Sequence, residues 1–473
     1  MASYRAPGVY VQDLALGSNN IEQVSSSVGV MLGVTRSGVV GSLQKVTSWT
    51  EFISKYANGL DTPFLENSYL PYAVYGFFNN GGSELYIGSI KKSGVKATKT
   101  ESGITVTALT EGTWGNSVTL AIAKASDWSS NNLEYDVTVN VGASDSAVIR
   151  GVYVDTIADA ILNDVKVKNW IGAFTIASGS ALDEATITLA GGSDGSALTD
   201  SDYTNALTMI DFVEDAIMVA IPGQTSTAVN NALISYCENH GLFPILDAPL
   251  AYTTDQVKAY RRTINTVTGV LAYPWGKITD PITGTAILVP VAGHLMGVYA
   301  RTFEDFGFSK APAGVDAVVN GFIELNTILS AEEVGTLNSV GVVCLCAKAN
   351  LGIVVWGARS LNSSDPTMKY VTDGMLNLVI KKSLYEGTQF AVFEANTDIL
   401  WERVDSACRA FLENLRLSGA LKGSQDDAYY VVVDATNNTD ESIADGILNV
   451  EIGYAPIKPA EFVIIKLAHS ING

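Results

Sequence analysis

Residues 216–246 read AIMVAIPGQTSTAVNNALISYCENHGLFPIL, and the fold class follows from them. Two short apolar runs, 216–221 and 242–246, flank a segment at 227–239 with helical periodicity. Pro222-Gly223-Gln224-Thr225-Ser226-Thr227 forms the turn between them, with Thr225 or Ser226 placed to cap the helix. Working outward, 202–212 and 255–263 also read as helices and 269–272 as a strand. This βαβ rhythm over 200–320 predicts a mostly parallel sheet covered on both faces. Upstream, an apolar stretch at 28–34 precedes a short helix at 48–56, capped by Ser48 with Glu51 three residues on. A second helix near 69–78 runs into the turn Asn79-Asn80-Gly81-Gly82 and a strand at 84–90, so the lobe completed after residue 200 begins here.

Between these halves, 95–193 is rich in Thr, Ser, Val and Gly. Tyr135, Val137, Val139 and Val141 alternate with polar residues, the mark of a half-buried strand. An all-β insert with one short helix is expected, returning through Ala190-Gly191-Gly192-Ser193-Asp194-Gly195-Ser196. In the last third, strands at 340–347 and 352–356 precede helices at 370–384 and 397–417. The second helix carries Trp401, Val404, Cys408, Phe411, Leu412 and Leu415 on one stripe. Its other face holds Glu402, Arg403, Arg409, Glu413 and Arg416. Strands at 446–454 and 461–467 end the chain around the corner Ala455-Pro456-Ile457-Lys458-Pro459. At the other end, 1–25 reads as an extended arm rooted at Pro7. The expected layout is an arm at 1–25, an α/β lobe at 26–94 plus 194–335, the β insert at 95–193, an α+β domain at 336–455 and a terminal arm at 456–473.

A chain of 473 residues has room for several cores. Only 16 % of its residues are charged and 43 are Gly, a surface poor in solubilising charge that suits burial under other subunits. The net charge of -20 opposes any polyanion, so nucleic acid is not expected as a partner. Residues 96–340 hold twelve basic and twenty-seven acidic residues, which places the acidity mid-chain. The start MASYRAPG lacks a signal-peptide pattern, no apolar stretch reaches membrane-spanning length, and synthesis in the cytoplasm is expected. The four cysteines, Cys237, Cys344, Cys346 and Cys408, read as buried thiols.

The search for chemistry gives little. No phosphate-cradling glycine motif is present, and Gly276-Lys277 is followed by Ile278. Gly293-His294-Leu295-Met296-Gly297 resembles the histidine segment of subtilases, which keeps an inactive or divergent serine hydrolase open as an alternative. Its nucleophile is missing: the one G-x-S-x-G, 191–195, lies in the glycine-rich return. Cys344-Leu345-Cys346 is a weak metal signal beside the scattered His240, His294 and His469. The pairs Glu214-Asp215, Glu304-Asp305 and Glu332-Glu333 are explained by helix ends and turns. No catalytic residue, cofactor or metal is expected.

The most distinctive segments are ones no active site requires. They are Pro7-Gly8-Val9-Tyr10-Val11, Val46-Thr47-Ser48-Trp49-Thr50-Glu51-Phe52, Phe77-Phe78-Asn79-Asn80-Gly81-Gly82 and Gly112-Thr113-Trp114-Gly115-Asn116. Residues 290–301 with Lys310-Ala311-Pro312-Ala313-Gly314, then Val355-Trp356-Gly357-Ala358-Arg359-Ser360-Leu361 and 457–465, complete the set. In order and spacing the chain resembles the tail sheath proteins of contractile phages and R-type bacteriocins. The resemblance implies stacked six-membered rings around an inner tube, with baseplate and tail terminator proteins as further partners, and a contraction without catalysis. It implies a subtilisin-like middle with no working protease, an outward-facing insert, and terminal arms that add as strands to a neighbour's sheet. The arm residues would be Pro7, Gly8, Val9, Tyr10 and Val11 at one end and Phe462, Val463, Ile464 and Ile465 at the other; Arg403, Arg409 and Arg416 would face the tube. A two-component secretion-system sheath is a second alternative, disfavoured because both arms and the core lie on one chain.

Overall fold

The computed structural model describes residues 20–57, 62–65, 68–129, 133–143, 145–177, 182–265, 268–281 and 283–465. It divides into two compact units, 25–378 with 458–473 and 1–24 with 379–457; the division falls inside the helix Val371–Gly387.

The larger unit is built on a sheet of eight described strands, in the order Gly352–Val355, Val342–Lys348, Val270–Tyr273, Phe243–Asp247, Met218–Ala220, Gly29–Gly33, Leu85–Ser89 and Leu43–Val46. The six inner strands run parallel and the two outermost pair antiparallel. Gly29–Gly33, Phe243–Asp247 and Val270–Tyr273 are buried throughout, as continuous apolar runs must be when helices cover both faces. The decisive stretch folds as read, with the helix Thr227–His240 joining Met218–Ala220 to Phe243–Asp247 and ending on the left-handed Gly241 (φ 65°). Residues 207–212, expected to continue the preceding helix, tighten into a 3₁₀ turn.

The structure corrects one boundary. Val342–Lys348 and Gly352–Val355 fall within the segment assigned to the carboxy-terminal domain, yet they complete this sheet, Val342 pairing with Leu271. The helix Ala331–Ser339 is the crossover that brings them there. The rhythm is hard to follow because an antiparallel sheet of Ala286–Val289, Gly276–Thr279 and Phe322–Leu325 interrupts it. The second unit therefore starts at 379, not 336.

Residues 95–193 form two antiparallel sheets with the one α-helix Ile157–Asn163. They enclose their own core around Trp114, Trp170, Phe174 and the inward face of Glu134–Val141. Entry and exit run side by side through isolated antiparallel bridges, Val95 with Ser193 and Thr98 with Ala190. Beside them the Lys91 ammonium is completely buried. It donates to the carbonyls of Arg36 (3.1 Å) and Glu111 (2.8 Å) and meets Asp194 at 3.4 Å, while Asp194 also accepts from Thr113.

In the smaller unit the helix Asp398–Leu417 buries Leu400, Trp401, Val404, Ala407, Cys408, Phe411, Leu412 and Leu415. A two-stranded ribbon pairs Tyr429–Val432 with Glu451–Tyr454. The strand expected over 446–454 is thus only four residues long. No strand forms over 461–465, and 466–467 lie outside the described residues.

Candidate functional site

The helix Ala292–Phe306 begins where Asp247, at the carboxyl end of its strand, accepts backbone hydrogen bonds from Val291 and Ala292 (2.8 Å each) and from Gly223 (3.0 Å). Burial pushes the Asp247 carboxyl up to about 6 despite these donors. The carboxylate holds a helix start and a loop together. His294 lies fully buried, its ring stacked on Phe322 at 4.2 Å, and neither nitrogen finds a hydrogen-bond partner among the described residues. Burial drives its pKa down to about 3. A buried imidazole whose pKa is driven this low is a weak base, and with no hydrogen-bond partner among the described residues it has no nucleophile to activate.

The glycines around His294 have another use. A Cβ on Gly293 would lie 2.4 Å from the Ala73 carbonyl oxygen, one on Gly297 2.4 Å from that of Phe77, and one on Gly76 2.4 Å from the His294 ring. Gly293-His294-Leu295-Met296-Gly297 is a close-packing surface against the helix Leu70–Asn79. Ser193, in the 191–195 motif, accepts from the Gly195 amide inside the return loop. Cys237, Cys344, Cys346 and Cys408 are free and buried, and no metal-binding group of His, Cys, Asp or Glu occurs among the described residues. Glu333 closes a capping box with Ser330, and Asp215 pairs with Lys45.

The residues expected to act in assembly lie towards the two ends of the chain. Pro7, Gly8, Val9, Tyr10 and Val11 lie outside the described residues. At the other end Phe462, Val463, Ile464 and Ile465 are 72–80 % exposed, four consecutive large apolar side chains with no strand partner among the described residues. Just before them the chain is held tightly. Glu461 takes a two-pronged pair from Arg359 (Nε to Oε1 and an Nη to Oε2, both 2.8 Å), a bond from the Asn338 amide (2.5 Å) and one from the Tyr370 hydroxyl (3.1 Å). Partial burial works against its ionisation, yet the bonds from Arg359 and Asn338 outweigh this and hold the carboxyl below its usual range. Three residues earlier Lys458 meets the buried Asp373 at 2.7 Å. The segment runs along a groove of about 390 Å³ lined by Val334, Trp356 and Tyr370. Nothing in the local sequence announces this site, because its partners lie about a hundred residues away.

Of the three arginines, Arg403 sits over the Phe390 ring at 5.1 Å. Arg409 pairs with Asp405 at 2.7 Å and also reaches the Val431 carbonyl, and Arg416 pairs with Glu413 at 2.7 Å. The structure does not bring these arginines together as free cations. The same unit carries an apolar groove of about 800 Å³ lined by Leu384, Val392, Leu400, Val404, Leu448 and Ile452.

A family model described as the phage tail sheath protein central domain matches residues 196–361, and one for the phage tail sheath C-terminal domain matches 363–468. The tail sheath protein of Escherichia phage P2 is 24 % identical over 261 residues, covering 53 % of this chain and 62 % of that protein. Among solved structures, the contracted PVC sheath complex of an extracellular contractile injection system matches 100 % of this chain and 99 % of its own, with a TM-score of 0.64 at 19 % identity. The sheath tail protein of Desulfitobacterium hafniense matches 90 % of this chain and 94 % of its own, with a TM-score of 0.65 at 16 % identity. The chain spans about three fifths of the phage P2 relative. The hydrolase alternative gains nothing from these matches; two consecutive sheath domains covering more than half of the sequence, on a fold shared with solved sheaths, make this chain a member of the contractile tail sheath family.

Proposed function

We propose that this chain is the structural subunit of a contractile sheath, in a phage tail or in a tail-like particle such as an R-type bacteriocin. It polymerises as stacked hexameric rings around an inner tube, and its repacking drives the tube through a target envelope. It is assembled in a bacterial cytoplasm, with baseplate and tail terminator proteins at the ends of the cylinder, and it has no enzymatic role, cofactor, nucleic-acid partner or membrane partner. The lobe around the parallel sheet is read as subtilisin-like and non-catalytic, in keeping with the burial of His294 and the structural use of Asp247. The insert at 95–193 would face outward, consistent with its acidic surface.

The observation that carries this reading is the run Phe462–Val463–Ile464–Ile465, apolar, exposed and without a strand partner among the described residues. Such a segment gains by pairing with an open sheet edge. At about 0.5–1.5 kcal/mol net per main-chain bond, a short strand yields a few kcal/mol per joint. The ribbon Tyr429–Val432/Glu451–Tyr454 is a suitable acceptor in a neighbouring copy, since two strands alone are marginal in water. The amino-terminal segment with Pro7, Gly8, Val9, Tyr10 and Val11 would act the same way from the other end. Joints of this kind stay paired while the bodies rotate, so burial of new surface between subunits can drive contraction without a nucleotide. Arg403, Arg409 and Arg416 are read as facing the tube; with Asp405 and Glu413 already on Arg409 and Arg416, Arg403 has the greatest freedom to bind an acidic surface.

Removing residues 462–473 tests the reading. The shortened chain should remain a folded monomer by sedimentation and circular dichroism and should form no striated cylinders in negative stain. Cylinders of normal length from that variant would overturn arm exchange.

A further inference from the structure

The exposed tail does not leave the body from a loose end. Lys458 and Glu461 are three residues apart, and each is seated on a partner of opposite sign, Asp373 for the first and Arg359 for the second. Both partners, Asp373 and Arg359, belong to the same compact unit as the tail residues they hold. Arg359 and Tyr370 are themselves joined in an isolated antiparallel bridge, so the two anchoring points share one backbone frame. The signs also set register. Sliding the tail by three residues would put Glu461 against the buried Asp373 or Lys458 against Arg359, like charge on like charge in a half-buried site. Pro459, between the anchors, fixes one backbone angle and leaves the segment little freedom to bow outward. Immediately past Glu461 the protection ends, and Phe462 is 72 % exposed.

We propose that Glu461, gripped by Arg359, Asn338 and Tyr370 and seconded by Lys458 on Asp373, is a positioning residue that fixes where and in what register the carboxy-terminal strand leaves its own body to reach a second copy of this chain. The inference rests on the exchanged-strand reading above and adds to it a fixed root. With a fixed root every copy launches its strand from the same place, and a rotation of the body is transmitted to the joint. A free root would let each tail pair in several registers, because a short strand exposed on all sides specifies its register weakly.

The full chain with Glu461→Gln is compared with the wild type and with the charge exchange Arg359→Glu/Glu461→Arg. In Glu461→Gln, amide hydrogen exchange over 456–461 should accelerate at least tenfold while the strand Val342–Lys348 keeps its protection. The yield of cylinders should fall by a similar factor. The exchanged pair should recover most of both quantities, which a purely steric role for Glu461 would not produce. Unchanged exchange and normal cylinders from Glu461→Gln would overturn the proposal, as would an exchanged pair no better than the single variant. The chain ending at Glu461 separates the two readings: if it forms cylinders, strand exchange is wrong, whereas loss of cylinders with intact protection over 456–461 leaves both standing.

Discussion

In the parallel-sheet lobe each of the six inner strands is paired on both sides, whereas each strand of the Tyr429–Val432/Glu451–Tyr454 ribbon is paired on one side only among the described residues. The lobe caps its outer strand Gly352–Val355 with residues 314–319, through bonds such as Val319 to Ile353 and Val355 to Ala317. On the ribbon, Arg409 donates to the Val431 carbonyl and Asn437 to that of Val432, and just past its end the backbone of 420–422 pairs with 455–457. The first region pairs its six inner strands and caps one of its outer strands within one chain. The second is the edge that the exchanged-strand proposal takes as acceptor, and beside it lies an apolar groove that includes Ile452. Under the proposed function this division would put cohesion in one part and the capacity for exchange in another.

The contrast breaks most readily at the helix pair of the lobe. Gly293→Val would push a side chain into the Ala73 backbone, which cannot yield as a flexible side chain can, and should cost at least about 3 kcal/mol. Urea unfolding would measure this, and a near-neutral result would mean that the lobe is less tightly packed than the contact implies. A smaller, local effect is expected at the ribbon. Asn438, buried in the loop joining the strands, accepts from the Asn449 amide at 2.6 Å and donates to its carbonyl at 3.0 Å. Asn438→Ala should cost about 2 kcal/mol of local stability, seen as faster hydrogen exchange over 429–454 with no change at Phe243–Asp247. Equal acceleration in both places would erase the distinction between the regions.

The smallest effect separates buried charge from buried bulk within the lobe. His294 has a folded pKa near 3 against 6.5 when exposed, so the unfolded chain binds the extra proton and stability falls as pH drops below 6.5. Asp247, raised to about 6 from 3.8, has the opposite sign, its destabilising contribution growing as pH rises from 4 to 6. In His294→Leu only the first contribution disappears. Between pH 7 and pH 5 the wild type should lose roughly 2 kcal/mol more than the variant, at about 1.4 kcal/mol per pH unit. Identical pH profiles would mean that the imidazole is hydrated.

The helices and strands around residues 216–246 were legible because local pattern and global fold agree there: the apolar runs are short, and the turns carry Gly, Pro and Ser where the chain reverses. The alternation in Glu134–Val141 gave its buried face residue by residue. The strand over 340–347 is legible as an element while its place beside Val270–Tyr273 is not, because periodicity reports an element's type and says nothing about its neighbour. Gly293 and Gly297 were weighed as part of a catalytic motif when their spacing is that of helix contact, a signal available at i and i+4. The pairings Asp405–Arg409 and Glu413–Arg416 were likewise available from spacing alone. The Glu461 clamp was not legible, since Asn338, Arg359 and Tyr370 meet it only through the fold.

The neck of the insert has a consequence for how such a chain can vary. Its two crossings at Val95 and Ser193 are direct neighbours, about 5 Å apart by the geometry of an antiparallel pair. Next to them Lys91 reaches the Glu111 carbonyl of the insert, Asp194 at its return and the Arg36 carbonyl of the lobe. The sheet below therefore senses only that two chain ends arrive side by side. Anything with adjacent termini can be spliced in at that doorway, so the insert can diverge, shrink or be replaced by a foreign domain while the parallel sheet stays the same.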